Sequence, residues 1–197
     1  ATTEDLINSL IRGAYLDHEN CPFDVTKFLN WYYYSGTPKV YINQSWDSNK
    51  SILNVSFEQK IDSKKNNENI EMVIPILYSC YSKEQKVIPI VEDNLFVLDK
   101  NIKNLQINTI PGEKEPPVLS IFRRFSSPVD WESDLSIEDY LFLFLNDNDY
   151  FSRWESGQFL MREIIKLRLC NKANYSLEDS FINAIKKCIK PLVINDY

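Results

Sequence analysis

The sequence predicts a mixed β and α fold, in which an immunoglobulin-like antiparallel β-sandwich is flanked by an N-terminal helical segment and a C-terminal α-helical array. Three observations lead to this prediction. Apolar residues recur at helical spacing at the start of the chain, alternate with polar residues in the middle, and return to helical spacing behind repeated helix-start signals. These changes of period place the three expected segments at residues 1–36, 37–128 and 129–197.

Two helices are expected in the first segment. Thr2 and Asp5 form a capping-box pattern, so a helix should cover residues 2–12. A second, short helix should begin with Asp24 as its cap and stop near Ser35. The apolar face of the first helix consists of Leu6, Ile7, Leu10 and Ile11.

The middle segment alternates with period two, which is typical of strands with one buried face. Leu53, Val55 and Phe57, for example, should share one face of a strand. Polar and Gly/Pro-rich turn signals separate the stretches, so seven short strands are expected in an antiparallel sandwich. The proposed strands are KVYINQSW, SILNVSFEQ, IEMVIPILYSC, KVIPIVE, LFVLD, NLQINTI and VLSIFRRF.

Three capping-box patterns precede three apolar runs in the last segment, which predicts three helices joined by short turns. Pro191 should break or end the third helix because proline lacks the backbone N–H that a helix interior uses. The three patterns are Ser136 with Asp139, Ser152 with Glu155, and Ser176 with Asp179.

Composition excludes some classes of partner. The chain has 22 Lys and Arg against 28 Asp and Glu, a formal charge of −6, which argues against a surface that neutralises nucleic-acid phosphates. The densest apolar run, YLFLFL, is far shorter than the roughly 20 residues of a membrane span, so no membrane association is expected. The N-terminus has no Met and no signal-peptide pattern, and the chain ends abruptly at PLVINDY, so we expect a segment of a longer polypeptide.

The cysteines indicate a reducing compartment. They have no CxxC spacing, and only Cys80 lies within the predicted sandwich, so no inter-sheet disulfide is expected. Reduced thiols in a cytoplasmic protein are the simplest interpretation. The four residues are Cys21, Cys80, Cys170 and Cys188.

An inventory of catalytic groups assigns no catalytic, cofactor-binding or metal-ligating residue. The single histidine, His18, precedes Glu19 as in half of an HExxH motif, but the position of the second histidine is Pro22. Four scattered glycines form no phosphate-binding loop. Arg123 and Arg124 could hold a carboxylate ligand or stack on an aromatic ring, although a strand-end pair that makes inter-domain salt bridges is the favoured interpretation.

Two further stretches allow both a functional and a structural interpretation. The aromatic run WYYYS at 31–35 could bind peptides, but packing at a domain junction is favoured. NDNDYFSRWESGQ at 146–158 does not fit a calcium loop, because counting from Asp147 puts Ser152 and Gln158 where Gly and Glu are required. Asp149 as the cap of a helix fits it better.

Three motifs, in order, resemble the aminopeptidase N family of zinc exopeptidases, in its bacterial and protozoan alanyl aminopeptidase branch. They are FDVTKFLNWYYYSGTPKV, FSSPV and NDNDYFSRWESGQ, with a strand-rich stretch between the first two. The opening ATTEDL also resembles the end of that family's catalytic domain, so the resemblance covers almost the whole chain.

The resemblance implies that residues 1–36 are the last helices of a catalytic domain, 37–128 a β-sandwich domain, and 129–197 the start of a C-terminal helical domain. It places the zinc ligands and the general base upstream, so zinc belongs to the parent enzyme and the segment is expected to be inactive alone. Its partners would be the parent's other domains, with peptides as the parent's substrates and a mainly monomeric parent. The alternative is a free-standing sandwich-and-helix interaction module without an enzymatic parent.

Overall fold

The structure, a computed structural model, describes residues 2–15, 23–61, 70–84 and 89–194. Within these ranges it contains five α-helices, seven β-strands and a short 3-10 helix at Arg123–Phe125. The helices are α1 (Thr3–Tyr15), α2 (Val25–Tyr33), α3 (Ile137–Asn146), α4 (Tyr150–Leu169) and α5 (Tyr175–Ile194). The strands are β1 (Lys39–Asp47), β2 (Ile52–Lys60), β3 (Ile74–Tyr81), β4 (Pro89–Leu98), β5 (Ile102–Asn108), β6 (Val118–Ser120) and β7 (Asp130–Ser133).

The chain forms two compact units that alternate along the sequence. Unit 1 consists of Ala1–Ile76, Leu95–Asn108 and Ser126–Asp134. Unit 2 consists of Leu77–Asn94, Thr109–Phe125 and Leu135–Tyr197. Strands β3 and β4 each contribute residues to both units.

Unit 1 contains a four-stranded sheet in the order β5-β2-β1-β7. Strand β2 alternates as predicted, with Leu53, Val55 and Phe57 buried on one face. The Phe57 ring stacks on Phe96 with 5.0 Å between the ring centroids. Strand β7 was not predicted, and it pairs with β1 in parallel, so the sheet is not wholly antiparallel.

A buried glutamine anchors the extended segment before β3. Gln59 donates from Nε2 to the carbonyl oxygens of Met72 and Lys100, both at 3.0 Å, and its Oε1 accepts from the Met72 N–H at 2.8 Å. The backbone of the segment is therefore satisfied by a side chain instead of a strand partner. This is why the predicted strand over 70–80 begins only at Ile74.

The N-terminal helices begin as predicted. Thr2 and Asp5 make both hydrogen bonds of the capping box, and Asp24 accepts from the N–H groups of the first turn of α2. Helix α1 runs through Gly13 to Tyr15, beyond its predicted end.

The predicted apolar face of α1 is divided. Ile7 and Ile11 are buried, whereas Leu6 and Leu10 are 55% and 59% exposed. In α2 the Trp31 indole donates to the Val73 carbonyl at 2.9 Å.

The three-stranded sheet has the order β4-β3-β6, and unit 2 contains β6, residues 77–81 of β3, residues 89–94 of β4, and the helices α3, α4 and α5. Tyr140, Leu160 and Leu177 form the buried centre of the helical part. Glycine at position 157 allows α4 close to α3, because a Cβ atom there would lie 3.0 Å from the Phe144 ring.

Three helix predictions need correction in detail. The Ser136 and Asp139 capping box is present, but Ser152 lies inside the first turn of α4, and Ser176 lies inside α5. Asn174 caps α5 instead, accepting from the Leu177 N–H at 3.1 Å. Pro191 does not end α5, since the backbone stays helical to Ile194 and only the one N–H that proline lacks is missing.

The predicted strands also change at two places. KVIPIVE and LFVLD, read as two strands, lie on the single strand β4 from Pro89 onward; residues 85–88 are outside the described ranges. VLSIFRRF is extended only over Val118–Ser120, because Phe122, Arg124 and Phe125 have positive φ angles of 52°, 54° and 55°.

Candidate functional site

The densest polar cluster of the described residues surrounds Arg123, immediately after β6. Its side chain is only 3% exposed. The Nε atom lies 2.5 Å from Asp93 Oδ1, and Nη1 lies 2.6 Å from Asp147 Oδ1. Nη1 also donates to Ser120 Oγ at 3.1 Å, and Nη2 donates to Asn148 Oδ1. Nη1 also donates to the Tyr81 hydroxyl at 3.3 Å, so the guanidinium group is held by two carboxylates and three neutral oxygens in one buried place.

Asp147 accepts more hydrogen bonds than any other residue of this cluster. Its side chain is 0% exposed. Besides Arg123, its Oδ1 accepts from the Tyr81 hydroxyl at 3.0 Å and the Asp149 N–H at 2.8 Å, and its Oδ2 accepts from Ser120 Oγ at 2.5 Å. The buried carboxylate is therefore both neutralised and hydrogen-bonded, as burial of a charge requires.

The environment fixes the protonation of the two central side chains. Burial by itself lowers the pKa of Arg123, but the charge of Asp147 and the hydrogen bond to Tyr81 raise it above its ordinary value. Burial raises the pKa of Tyr81, so its hydroxyl stays protonated and can donate to Asp147 or to Asn148. A guanidinium group keeps its charge at neutral pH, so Arg123 is a fixed positive charge between the carboxylates of Asp93 and Asp147.

Asp149 confirms the helix-cap interpretation of the stretch at 146–158. Its Oδ2 accepts from the Ser152 N–H at 2.9 Å, inside the first turn of α4, and from the Arg124 N–H at 3.1 Å. Burial opposes ionisation, but these hydrogen bonds hold the pKa of Asp149 below its ordinary value. The capping carboxylate therefore also fixes the backbone of the turn at Arg124, which has a positive φ.

A cleft of about 610 Å³ opens beside the cluster, within unit 2. Its charged lining has three carboxylates and two guanidinium groups. Arg124 is 71% exposed and pairs with Asp93 through Nη2. The lining residues are Pro89, Glu92, Asp93, Arg123, Arg124, Asn148, Asp149 and Tyr150.

Aromatic side chains lie along the same part of unit 2. Phe125 and Phe151 have ring centroids 5.3 Å apart, and Phe151 and Trp154 have centroids 5.8 Å apart. Phe125 and Trp154 are each 56% exposed and Tyr150 is 85% exposed. The rings are thus preorganised against each other while much of their area remains accessible.

Another buried polar group lies in unit 2. Neither carboxylate oxygen of Glu113 has a hydrogen-bond partner among the described residues, although the residue is only 8% exposed. Cys80 is a free cysteine, and its pKa is raised to about 12 by burial and by the charge of Glu113. This thiol stays protonated and is a poor nucleophile.

The zinc implied by the family resemblance does not fit a site in the described ranges. These residues contain no group of three or more His, Cys, Asp or Glu side chains that could hold a metal ion. The sequence has one histidine, His18, and it lies outside the described residues, as does Cys21.

The sequence anticipated part of this cluster. Arg123 and Arg124 do form salt bridges, but the sequence did not indicate their partners Asp93 and Asp147. One signal was available for Asp147: it is the C-cap of α3, where the helix dipole disfavours a carboxylate unless a cation is near. The aromatic run at 31–35 is only partly packed, with Tyr32 53% and Tyr33 57% exposed.

The order of strands followed by a helical array defines a chain with a β-sheet part and an α-helical repeat part. Comparisons with known proteins agree with this class. A family model described as a domain of unknown function (DUF3458) with an Ig-like fold matches residues 36–134. A second, described as DUF3458_C with ARM repeats, matches residues 137–195. The first match covers about half of the chain, so the chain belongs to the DUF3458 family.

The curated relatives of this chain described below are both named aminopeptidase N. The chain is 30% identical over 167 residues to an aminopeptidase N of Caulobacter vibrioides, and 27% identical over 178 residues to an aminopeptidase N of Escherichia coli. These alignments cover 84% and 86% of this chain but 19% of each relative. The resemblance to the aminopeptidase N family predicted from the sequence is therefore confirmed, and the chain spans about a fifth of the length of these relatives.

A solved structure shows the same fold. A crystal structure of Legionella pneumophila aminopeptidase A in complex with aspartic acid matches with a TM-score of 0.78 at 23% identity, over 96% of this chain and 20% of that chain. The mixed fold of Ig-like strands and helical repeats predicted from the sequence is confirmed. No helix formed by the described residues is long and apolar enough to cross a membrane.

Proposed function

We propose that this chain is a non-catalytic structural segment of a zinc-dependent aminopeptidase that releases N-terminal amino acids from peptides. The carrying observation is that relatives named aminopeptidase N align with 84% or more of the chain, while the chain spans only 19% of their length. The densest polar cluster of the described residues supports a structural role, because its centre is a buried, hydrogen-bonded ion pair between Arg123 and Asp147.

The proposal assigns a role to each segment. Residues 1–36 are the last helices of the catalytic domain, 37–128 are the β-sandwich domain, and 129–197 begin the C-terminal helical domain. Arg123 and Asp147 support a linking role at the second boundary, since they lie in the ranges matched by the Ig-like and ARM models respectively and are 2.6 Å apart. The partners of the segment are then the catalytic and helical domains of its own parent.

The remaining features of the parent follow from the same proposal. Its zinc is bound outside the described residues, its substrates are peptides, and it functions as a monomer in the cytoplasm. An excess of six acidic charges and free thiols at Cys80, Cys170 and Cys188 support a reducing compartment without a nucleic-acid partner.

Activity assays test the proposal. The purified chain, with and without added zinc, should not hydrolyse an alanyl-anilide substrate above a mock preparation, whereas the polypeptide that includes the flanking sequence should. Turnover by the metal-loaded chain alone would contradict the non-catalytic role. Absence of turnover by the longer polypeptide would contradict the proposal that the parent is an aminopeptidase.

Mass spectrometry of the native protein distinguishes the proposed aminopeptidase segment from the alternative, a free-standing interaction module. A product of about the length of this chain with its own initiator Met would favour the module. A product several times longer, with HExxH and a later Glu upstream of these residues, would favour the aminopeptidase.

A further inference from the structure

The cleft beside Arg123 has unused hydrogen-bond donors on one set of lining residues. Arg123 Nη2 uses one of its two hydrogens on Asn148, and Arg124 Nε and Nη1 have no acceptor among the described residues. The Asn148 side chain accepts through Oδ1, which leaves its amide hydrogens available. Two guanidinium groups and an amide that line one cleft form a donor set suited to a carboxylate.

The same cleft has unused acceptors on other lining residues. Glu92 is exposed and forms no ion pair within the described ranges. Asp149 uses only Oδ2 for its capping hydrogen bonds, so Oδ1 remains available. These oxygens suit an ammonium group.

The mixed charge of the lining restricts the ligand. A simple anion would meet the carboxylates of Glu92, Asp93 and Asp149, and a simple cation would meet the guanidinium groups of Arg123 and Arg124. A ligand that carries both charges satisfies both sets. The cleft volume of about 610 Å³ lies within the range of small-molecule sites.

The turn that carries these donors is built at a cost in backbone free energy. Phe122, Arg124 and Phe125 all have left-handed φ angles, which L-residues with side chains disfavour. The strain is retained because the buried Arg123 and the Asp149 cap fix the turn from both sides. Strained residues held in this way are typical of ligand sites.

We propose that this cleft binds a small zwitterion, an amino acid or short peptide with a free α-carboxylate and a free α-ammonium group. The carboxylate lies at Arg124, Arg123 and Asn148, and the ammonium group lies at Glu92 and Asp149. The choice of amino acids and short peptides rests on the proposed function, because these are what an aminopeptidase binds and releases. The cleft is then a site for peptide or product outside the zinc centre.

Calorimetric titration of the purified chain with L-alanyl-L-alanine tests this site. We expect saturable binding that weakens about fivefold when the amine is acetylated or the carboxylate is amidated, the scale of one partly exposed charge pair. N-acetyl-alanyl-alanine removes only the ammonium charge, and alanyl-alanine amide removes only the carboxylate. Equal binding of all three probes, or no saturable binding of the dipeptide, would overturn the proposal.

Two substitutions assign the charges to residues. Glu92→Gln should weaken the dipeptide about fivefold and leave the acetylated probe unchanged, and Arg124→Gln should weaken the dipeptide and leave the amide probe unchanged. Arg162→Gln is the matched control, an exposed arginine of α4 that pairs with Glu155 and does not line the cleft. An equal loss in Arg162→Gln, or no loss in either cleft variant, would overturn the assignment.

These experiments test the cleft site and the proposed aminopeptidase activity of the parent separately. The titration uses the chain without its parent's zinc centre, so a negative titration with an active longer polypeptide rejects the cleft site alone. Saturable, charge-dependent binding with an inactive longer polypeptide rejects the proposed parent activity alone. Circular dichroism of each variant verifies that the helices of unit 2 remain folded.

Discussion

Asp147→Ala should be among the most destabilising single substitutions in unit 2. The change removes a fully buried carboxylate that accepts from Arg123, Tyr81, Ser120 and the Asp149 backbone. It leaves the Arg123 guanidinium buried, with Asp93 as its remaining carboxylate. Breaking a buried ion pair from one side costs about 3–5 kcal/mol, because the other charge stays out of water. This is a large share of the roughly 5–15 kcal/mol that stabilises a typical domain.

Urea unfolding followed by far-UV circular dichroism measures this loss, because α3, α4 and α5 all lie in unit 2. The double variant Arg123→Met with Asp147→Leu should cost less than the sum of its single variants, since no charge is left buried alone. Glu163→Ala is the control, because its partner Lys166 is 70% exposed and a pair that reaches solvent in this way is worth less than about 1 kcal/mol. A loss below about 1 kcal/mol for Asp147→Ala, or strict additivity in the double variant, would refute the reasoning.

Three further predictions concern both units. Phe57→Ala should lower the free energy of unfolding by about 3–5 kcal/mol, because the ring is fully buried; a loss below about 1 kcal/mol in urea unfolding would contradict this packing. Cys80 should resist alkylation in the folded chain while the exposed Cys170 reacts, since burial raises the pKa of Cys80 to about 12; equal modification of both thiols by mass spectrometry would be inconsistent with it. The hydrogen bond from Lys27 lowers the pKa of Glu71 below 4.5, so its stabilising contribution is present above pH 4.5 and is lost as the pH falls through the lowered value. Glu71→Gln should therefore make the acid decline of stability shallower in urea unfolding at a series of pH values, and an unchanged decline would count against this pair.

Local signals in the sequence identified most elements, because capping and alternation are short-range effects. Asp24, Asp149 and the pair Ser136 and Asp139 cap helices where predicted. Strand β7 was missed because DWES has two acids in four residues and resembles a loop, yet its pairing with β1 satisfies its backbone.

Long-range charge pairing explains the other differences. Asp93 interrupts an apolar run and resembles a turn residue, but it lies inside strand β4 because Arg123 and Arg124 neutralise its carboxylate. The burial of Asp147 depends on an arginine 24 residues earlier, and no local pattern joins the two. The candidate cleft could not be predicted from the sequence either, because its lining residues come from three separate parts of the chain.

The order of residues along the chain determines when the buried ion pair can form during protein synthesis. The strands of unit 2 are made before its helices, and Arg123 emerges 24 residues ahead of Asp147. At a synthesis rate of about 5–20 residues per second, Asp147 is added roughly 1–5 s after Arg123. The three-stranded sheet therefore cannot complete its buried polar contacts on the ribosome until the start of the helical array has followed it. A nascent chain paused between these two residues would contain the Arg123 guanidinium without the Asp147 carboxylate that neutralises it in the folded chain.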